Sequence, residues 1–165
     1  MKVVLALGSN LGDRFETLQG ALDSLFDAPG LDFVAVSPVY ETDPVGGPEQ
    51  GPYLNAVVIA QTTLDPWTLL ERAQGEEDAF GRVRTERWGA RTLDVDLIMV
   101  GDVVSDDPRL TLPHPRAHER AFVLVPWLRV DPDAVLSGRR VADLLTGLDQ
   151  DYVRLRTDLT LQRPI

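Results

Sequence analysis

The sequence predicts an α+β fold with a ferredoxin-like split βαβ core, an antiparallel sheet flanked by helices. Two observations carry that prediction. Apolar segments follow one another in the order strand, helix, strand, strand, helix, strand. Two of those strands meet with no helix between them, which counts against an open α/β sheet. At 165 residues the chain fits one compact domain, and residues 1–165 are expected to form it.

The elements follow from the residues in turn. Val3 to Leu7 is a short apolar run that ends at Gly8-Ser9-Asn10, which reads as a buried strand. Asp13 with Glu16 three residues on resembles a capping box. Phe15, Leu18, Leu22, Leu25 and Phe26 then recur at helical spacing, and Pro29-Gly30 closes that helix. Residues Asp32 to Tyr40 alternate in part and predict a second strand. The stretch from Asp43 to Pro52 is rich in Gly and Pro and reads as a loop. Tyr53 to Thr63 predicts a third strand. Asp65-Pro66 supplies an N-cap and first turn, and Leu69, Leu70 and Ala73 line a second helix. That helix ends somewhere between Gln74 and Phe80. Thr92 to Val100 is the fourth strand, and Gly101-Asp102 reads as a hairpin turn into Val103-Val104. Beyond Pro113 we expect a loop, a helix near His118 to Leu128, a short helix near Val141 to Leu145 and a last strand at Tyr152 to Leu155.

Composition excludes several chemistries. There is no cysteine, so no disulfide, thiolate nucleophile or cysteine-ligated metal. Lys2 is the only lysine. A Walker A loop, a protein-kinase strand lysine and an internal Schiff-base lysine are therefore all missing. A net charge of −10 argues against non-specific binding to nucleic acid or an anionic membrane. No apolar run approaches the length of a spanning helix, and no signal peptide is evident. A cytoplasmic protein is expected.

The densest constellation runs from Arg82 to Asp96. Asp94 and Asp96 interrupt the apolar run of the fourth strand. Residues two apart on a strand share a face, so the two carboxylates stand side by side. Like charges that close are costly unless something neutralises them. A divalent cation does so, and oxygen ligands favour Mg²⁺. Equally, each aspartate could pair with an arginine on a solvated face. Between Phe80 and Thr92 there are four arginines and one acid, a positive patch suited to phosphate oxygens. Surface pairing with Glu76, Glu77, Asp78 and Glu86 is the plainer alternative.

Other residues are open to two readings. Trp88, Tyr53 and Phe122 could stack on a flat heterocycle or plug the core edge. The amide of Asn55 could read a heterocycle's edge or bond to a neighbouring loop. His114 and His118 have helical spacing, but Pro113 and Pro115 flank His114 and spoil a zinc-binding helix. A phosphate contact by His114 is more plausible beside Arg109, Arg116 and Arg120. Gly8-Ser9-Asn10-Leu11-Gly12 matches neither phosphate-loop fingerprint and reads as a tight turn.

Taken together, these residues resemble a known family. Arg87-Trp88-Gly89 followed by Arg91-Thr92-Leu93-Asp94-Val95-Asp96-Leu97-Ile98 is similar to the signature of 6-hydroxymethyl-7,8-dihydropterin pyrophosphokinases, enzymes of folate biosynthesis. Four further segments agree with it. They are Ala6 to Gly12, Tyr40 to Pro44 with Tyr53 to Ala56, Gly81 to Arg84, and Leu112 to Arg116 through Glu119 to Phe122. The match holds in register from residue 1 to about 130. Ala90 stands where the signature usually has proline, and the tail after Asp131 carries little of the resemblance.

The resemblance implies a ferredoxin-like core and transfer of pyrophosphate from ATP to the pterin hydroxymethyl oxygen, releasing AMP. It implies two Mg²⁺ ions on Asp94 and Asp96, with Arg82 and Arg91 also catalytic. Arg82, Arg91, Arg109, His114 and Arg120 would contact the triphosphate, with Arg84 and Trp88 on a closing loop. Gln74 and Glu77 would line the nucleotide pocket, with Leu97 and Thr111 near the adenosine. Thr42, Pro44, Val45 and Asn55 would hold the pterin edge, Tyr53 and Phe122 would sandwich its ring, and Trp88 and Asp94 would also touch it. The partners implied are these two substrates, with no nucleic acid and no membrane, for a chain expected to be a monomer. Two rival readings are another Mg²⁺-dependent phosphotransferase or nucleotide hydrolase, and a non-catalytic ligand-binding module. Tyr53, Asn55 and Phe122 argue against the first, since nucleotide hydrolysis needs no such set. Absence of Mg²⁺-dependent ATP turnover would favour the second.

Overall fold

The computed structural model describes residues 1–44, 51–81 and 92–164. The first strand, β1 (Lys2–Ser9), leads into α1 (Arg14–Leu25), β2 (Leu31–Val36), β3 (Tyr40–Thr42), β4 (Tyr53–Thr62), α2 (Pro66–Gly81) and β5 (Asp94–Val100). A small hairpin follows, β6 (Ser105–Asp107) with β7 (Leu110–Leu112), then a 3-10 turn (Ala117–Glu119) and α3 (Ala121–Val130). The chain continues through a second hairpin, β8 (Val135–Leu136) with β9 (Arg139–Arg140), to α4 (Val141–Leu145) and β10 (Val153–Leu155). No helix among the described residues is long and apolar enough to cross a membrane.

β1 lies at the middle of the main sheet. It runs antiparallel to β4 on one side and to β5 on the other. The outer edge of β4 takes β2 and β3 end to end, and β10 adds outside β3, all antiparallel. Counting β2 and β3 as one broken strand, this is the ferredoxin-like order. The predicted caps form. Glu16 N–H donates to Asp13 Oδ1 at 3.1 Å, and Thr68 N–H donates to Asp65 Oδ1 at 3.1 Å.

The structure corrects four expectations from the sequence. The predicted strand at residues 32–40 is two strands, because Pro38 has no N–H to give the ladder. Ser37 bridges the gap: its N–H donates to Val57 O, and its hydroxyl accepts from Val57 N–H, both at 2.9 Å. Gly101 does make the predicted turn, at φ +50, but Val103-Val104 is not a strand; the hairpin begins at Ser105. The expected helix at 118–128 is split into the 3-10 turn and α3. The fourth strand starts at Asp94 and not at Thr92.

Alternation along the strands builds two cores. Leu5 and Leu7 of β1, Leu54, Ala56 and Val58 of β4, and Val95 and Leu97 of β5 face α1 and α2, where they meet Leu18, Leu22, Leu69 and Ala73. Val4, Val57, Ile59 and Ile98 face the other way, against Val123, Leu124 and Trp127 of α3 and Val141 and Leu145 of α4. Each fully buried aliphatic or aromatic side chain here contributes about 1.5–3 kcal/mol. Lys2, the single lysine, reaches Asp131 at 2.6 Å just beyond α3.

The edge at β3 is held by charge. Glu41 accepts from Arg14 at 3.0 Å and from Arg156 at 2.9 Å, while Arg14 also donates to Pro52 O at 2.9 Å. Partial burial raises the Glu41 pKa, but the hydrogen bond and charge of Arg14, with Arg156 and Arg154, outweigh it and the net shift is downward. A lowered carboxylate pKa stabilises the fold above the unfolded value of about 4.5, and that stability is lost as pH falls through the folded value. Glu41→Gln should therefore cost about 1 kcal/mol at neutral pH. The gap in melting temperature between variant and parent should close in acid. An unchanged gap at low pH would contradict the role.

Candidate active site

On the α3 side of the sheet the core stops short of one end. There the inward positions change from Val4, Val57 and Ile98 to Ala6, Gly8, Asn55, Asp94 and Asp96. Pairing fixes their arrangement: Gly8 lies opposite Asn55 on β4 and Asp94 on β5, and Ala6 lies opposite Val57 and Asp96. The result is a cleft of about 520 Å³, lined by Thr42, Pro44, Tyr53, Asn55, Asp94, Asp96, Arg120 and Phe122 among others. All eight are residues that the sequence singled out.

Asn55 is 8% exposed and its position is tightly defined. Its Oδ1 accepts from the Thr42 hydroxyl at 2.5 Å. A Cβ on Gly8 would lie 2.9 Å from Asn55 Nδ2, so glycine is required for this close approach. The partner of the amide oxygen is thus a residue of strand β3 in the same cleft, and not of a neighbouring loop. At Gly12, φ +73 bears out the tight-turn reading.

A second cleft, of about 300 Å³, opens between α2, β5 and the β6–β7 hairpin. Gln74, Glu77, Leu97, Arg109, Thr111 and His114 line it, and Asp96 lines both clefts. The second carboxylate of the pair thus stands where the two clefts meet. Glu77 Oε2 accepts from Val95 N–H at 3.0 Å, which anchors β5 between Asp94 and Asp96. Glu76, read as a surface partner for arginine, is instead buried and accepts from the Ser24 hydroxyl at 2.7 Å.

His114 closes the junction from below. Its N–H donates to Ile98 O at 2.9 Å, and its Nδ1 accepts from Arg116 N–H at 3.2 Å. Burial lowers its pKa; Asp96 raises it, and Arg120 and Arg116 lower it further, for a net fall. With Nδ1 accepting, Nε2 is the ring nitrogen left to donate. At the wall of the second cleft Arg109 is already engaged, with its guanidinium 5.0 Å from the centre of the Trp67 ring and 3.3 Å from the Asp107 carboxylate. Arg120 lies over the Phe122 ring at 5.6 Å.

Val45, Arg82, Arg84, Trp88 and Arg91 lie outside the described residues. Among the cleft residues not anticipated as site residues are Asp43, Arg116, Glu119 and Tyr152. Arg116 and Glu119 pair with each other at 2.9 Å. For Tyr152 the sequence held only an aromatic residue at the head of a weak strand signal.

Fold and site together define a ferredoxin-like scaffold with two clefts, Asp94 lining one and Asp96 lining both. The family described as 7,8-dihydro-6-hydroxymethylpterin-pyrophosphokinase (HPPK) matches residues 4–132, and the chain belongs to that family. Relatives bear the name 2-amino-4-hydroxy-6-hydroxymethyldihydropteridine pyrophosphokinase. One from Mycobacterium leprae is 52% identical, with 98% of this chain and 91% of the relative covered. One from Mycobacterium tuberculosis H37Rv is 48% identical, covering 99% and 96%. One from Pseudomonas aeruginosa is 44% identical, covering 88% and 91%. Among solved structures, a Plasmodium falciparum HPPK-DHPS with pterin and p-hydrobenzoate shares the fold at TM-score 0.65 and 13% identity. That alignment covers 88% of this chain but only 44% of the larger protein.

The Thr42–Asn55 bond makes a direct prediction. Thr42→Val keeps the shape but leaves the buried Asn55 Oδ1 without its donor. It should cost about 1–3 kcal/mol of unfolding free energy, read by urea denaturation. A neutral result would mean that Asn55 reorients at no cost.

Proposed function

We propose that this chain, folded as a single domain, transfers pyrophosphate from ATP to 6-hydroxymethyl-7,8-dihydropterin in folate biosynthesis. The observation that carries this reading is the division of the candidate residues. Among the described residues, those assigned to the pterin line one cleft and those assigned to the nucleotide line the other, except that Arg120 stands in the pterin cleft, and Asp96 belongs to both. In the reaction the hydroxymethyl oxygen bonds to the β-phosphorus. The bond from that phosphorus to the oxygen it shares with the α-phosphorus breaks, and AMP departs.

The residues share out that task. Thr42 and Asn55 meet the pterin's polar edge, and Tyr53 and Phe122 offer ring faces to its heterocycle. Gln74, Glu77, Leu97 and Thr111 form the wall for the nucleoside, and Arg120 and His114 offer donors to phosphate oxygens. Arg82, Arg91, Arg109, Arg84 and Trp88 complete the phosphate and loop set in this reading, with Val45 and Trp88 beside the pterin. Arg109 would first have to leave Asp107 and Trp67.

The pair Asp94 and Asp96 suits Mg²⁺. The two carboxylates share one strand face, only Gly8 and Ala6 stand opposite them on β1, and the cleft leaves room for phosphate oxygens as further ligands. Bound there, Mg²⁺ would align the phosphates and offset their charge. No side chain needs to act as nucleophile, and holding two substrates in register supplies much of the rate.

The test is to give the protein ATP, Mg²⁺ and 6-hydroxymethyl-7,8-dihydropterin and identify the nucleotide product. AMP supports pyrophosphoryl transfer; ADP or orthophosphate release without the pterin overturns it. Asp96→Ala should still bind pterin but lose turnover by about a hundredfold or more. Near-normal turnover at saturating Mg²⁺ would sink the ligand role.

A further inference from the structure

Tyr152 lies beyond residues 4–132, the part of the chain that the family match covers. It nonetheless lines the larger cleft with Phe122, Asn55 and Thr42. Its backbone and its side chain reach different walls. The carbonyl accepts from Asp43 N–H at 3.1 Å, directly after Thr42. From there β10 pairs with β3, Val153 opposite Thr42 and Leu155 opposite Tyr40. Arg154 then grips the Asp43 carboxylate with two hydrogen bonds, both 3.0 Å, and Arg156 N–H donates to Val39 O at 2.9 Å.

The side chain lies on the α3 side of the sheet. It packs against the core cluster that contains Ala121, Val123 and Leu124 of α3. It lines the cleft beside Arg120 and Phe122, at the start of that helix.

We propose that Tyr152 is a positioning residue that ties the Thr42–Asp43 wall of the cleft to the Arg120–Phe122 wall and so sets the width of its pterin end. This rests on the pterin assignment above. The two walls come from elements far apart in sequence, and a ring stacked between Tyr53 and Phe122 tolerates little change in their separation. Losses of catalysis from misplacement are steep even for small shifts. β10 and its arginines hold Tyr152 against β3, and the packing of its ring carries that restraint to the α3 side.

The experiment compares Tyr152→Phe, Tyr152→Ala and Arg154→Ala with the parent. Tyr152→Ala should raise the KM for the pterin about tenfold and that for ATP less than about twofold, with Tyr152→Phe in between. Arg154→Ala should shift the same way, and it keeps the test open if Tyr152→Ala prevents folding. Equal rises in both KM values, or none, overturn the proposal. Amide exchange at Ala121 and Phe122 should quicken in Tyr152→Ala, and unchanged exchange also overturns the proposal. Exchange needs no turnover, so it decides the proposal even if the parent releases no AMP, which would defeat the pterin reading instead.

Discussion

Gly8 has no side chain, and the cleft exists because of that. It stands on the central strand with Asn55 on one neighbour and Asp94 on the other. A Cβ there would press on the Asn55 amide at 2.9 Å. Two residues earlier Ala6 separates Val57 from Asp96 with a single methyl. Alternation sends Leu5 and Leu7 to the opposite face, where bulk is needed to pack α1 and α2. One strand thus fills a core with its odd positions and leaves a hollow at its last two even ones, Ala6 and Gly8. The carboxylates, the amide and the aromatic walls are all arranged around that hollow.

The rim is fixed by charge rather than by apolar packing. Glu41 and Asp43 sit at the edge of the sheet, and Arg14, Arg154 and Arg156 converge on them. An arginine fork holds a carboxylate in a defined orientation, which a lysine does not do as well. The shortage of lysine therefore bears on structure as well as on phosphate handling. Of the fifteen arginines, Arg154 and Arg156 serve as struts that hold β3 to the C-terminal tail. On the inner side Glu77 does similar work through a backbone N–H, holding β5 where its two carboxylates emerge.

Much of this was legible in the residues. Apolar periodicity marked β1, α1, β4, α2 and β5, since each buries a regular face and carries a recognisable cap or turn. The break at Ser37-Pro38 was less visible, because alternation continues across it and only the missing Pro38 N–H and the Ser37 hydroxyl divide the strand. The hairpin expected from the fourth strand through Gly101-Asp102 does not form, and β6 with β7 at 105–112 was unforeseen, for a similar reason. Val103-Val104 has strand composition, yet Val104 is 82% exposed, and the polar Ser105–Asp107 pairs instead. Local propensity could not foresee which segment finds a partner.

Residue order alone set the chemistry available: two aspartates in strand register, an amide and aromatics in fixed order, arginine in place of lysine, and no thiol. Those follow from residue type and from the two-residue period of a strand. Packing in three dimensions was needed to put Asp96 where two clefts meet, to rest Arg109 on Trp67 and Asp107, and to return the tail so that Tyr152 braces the site. Each of these is a contact between residues brought together by the fold, and no local pattern encodes which partner a side chain will meet.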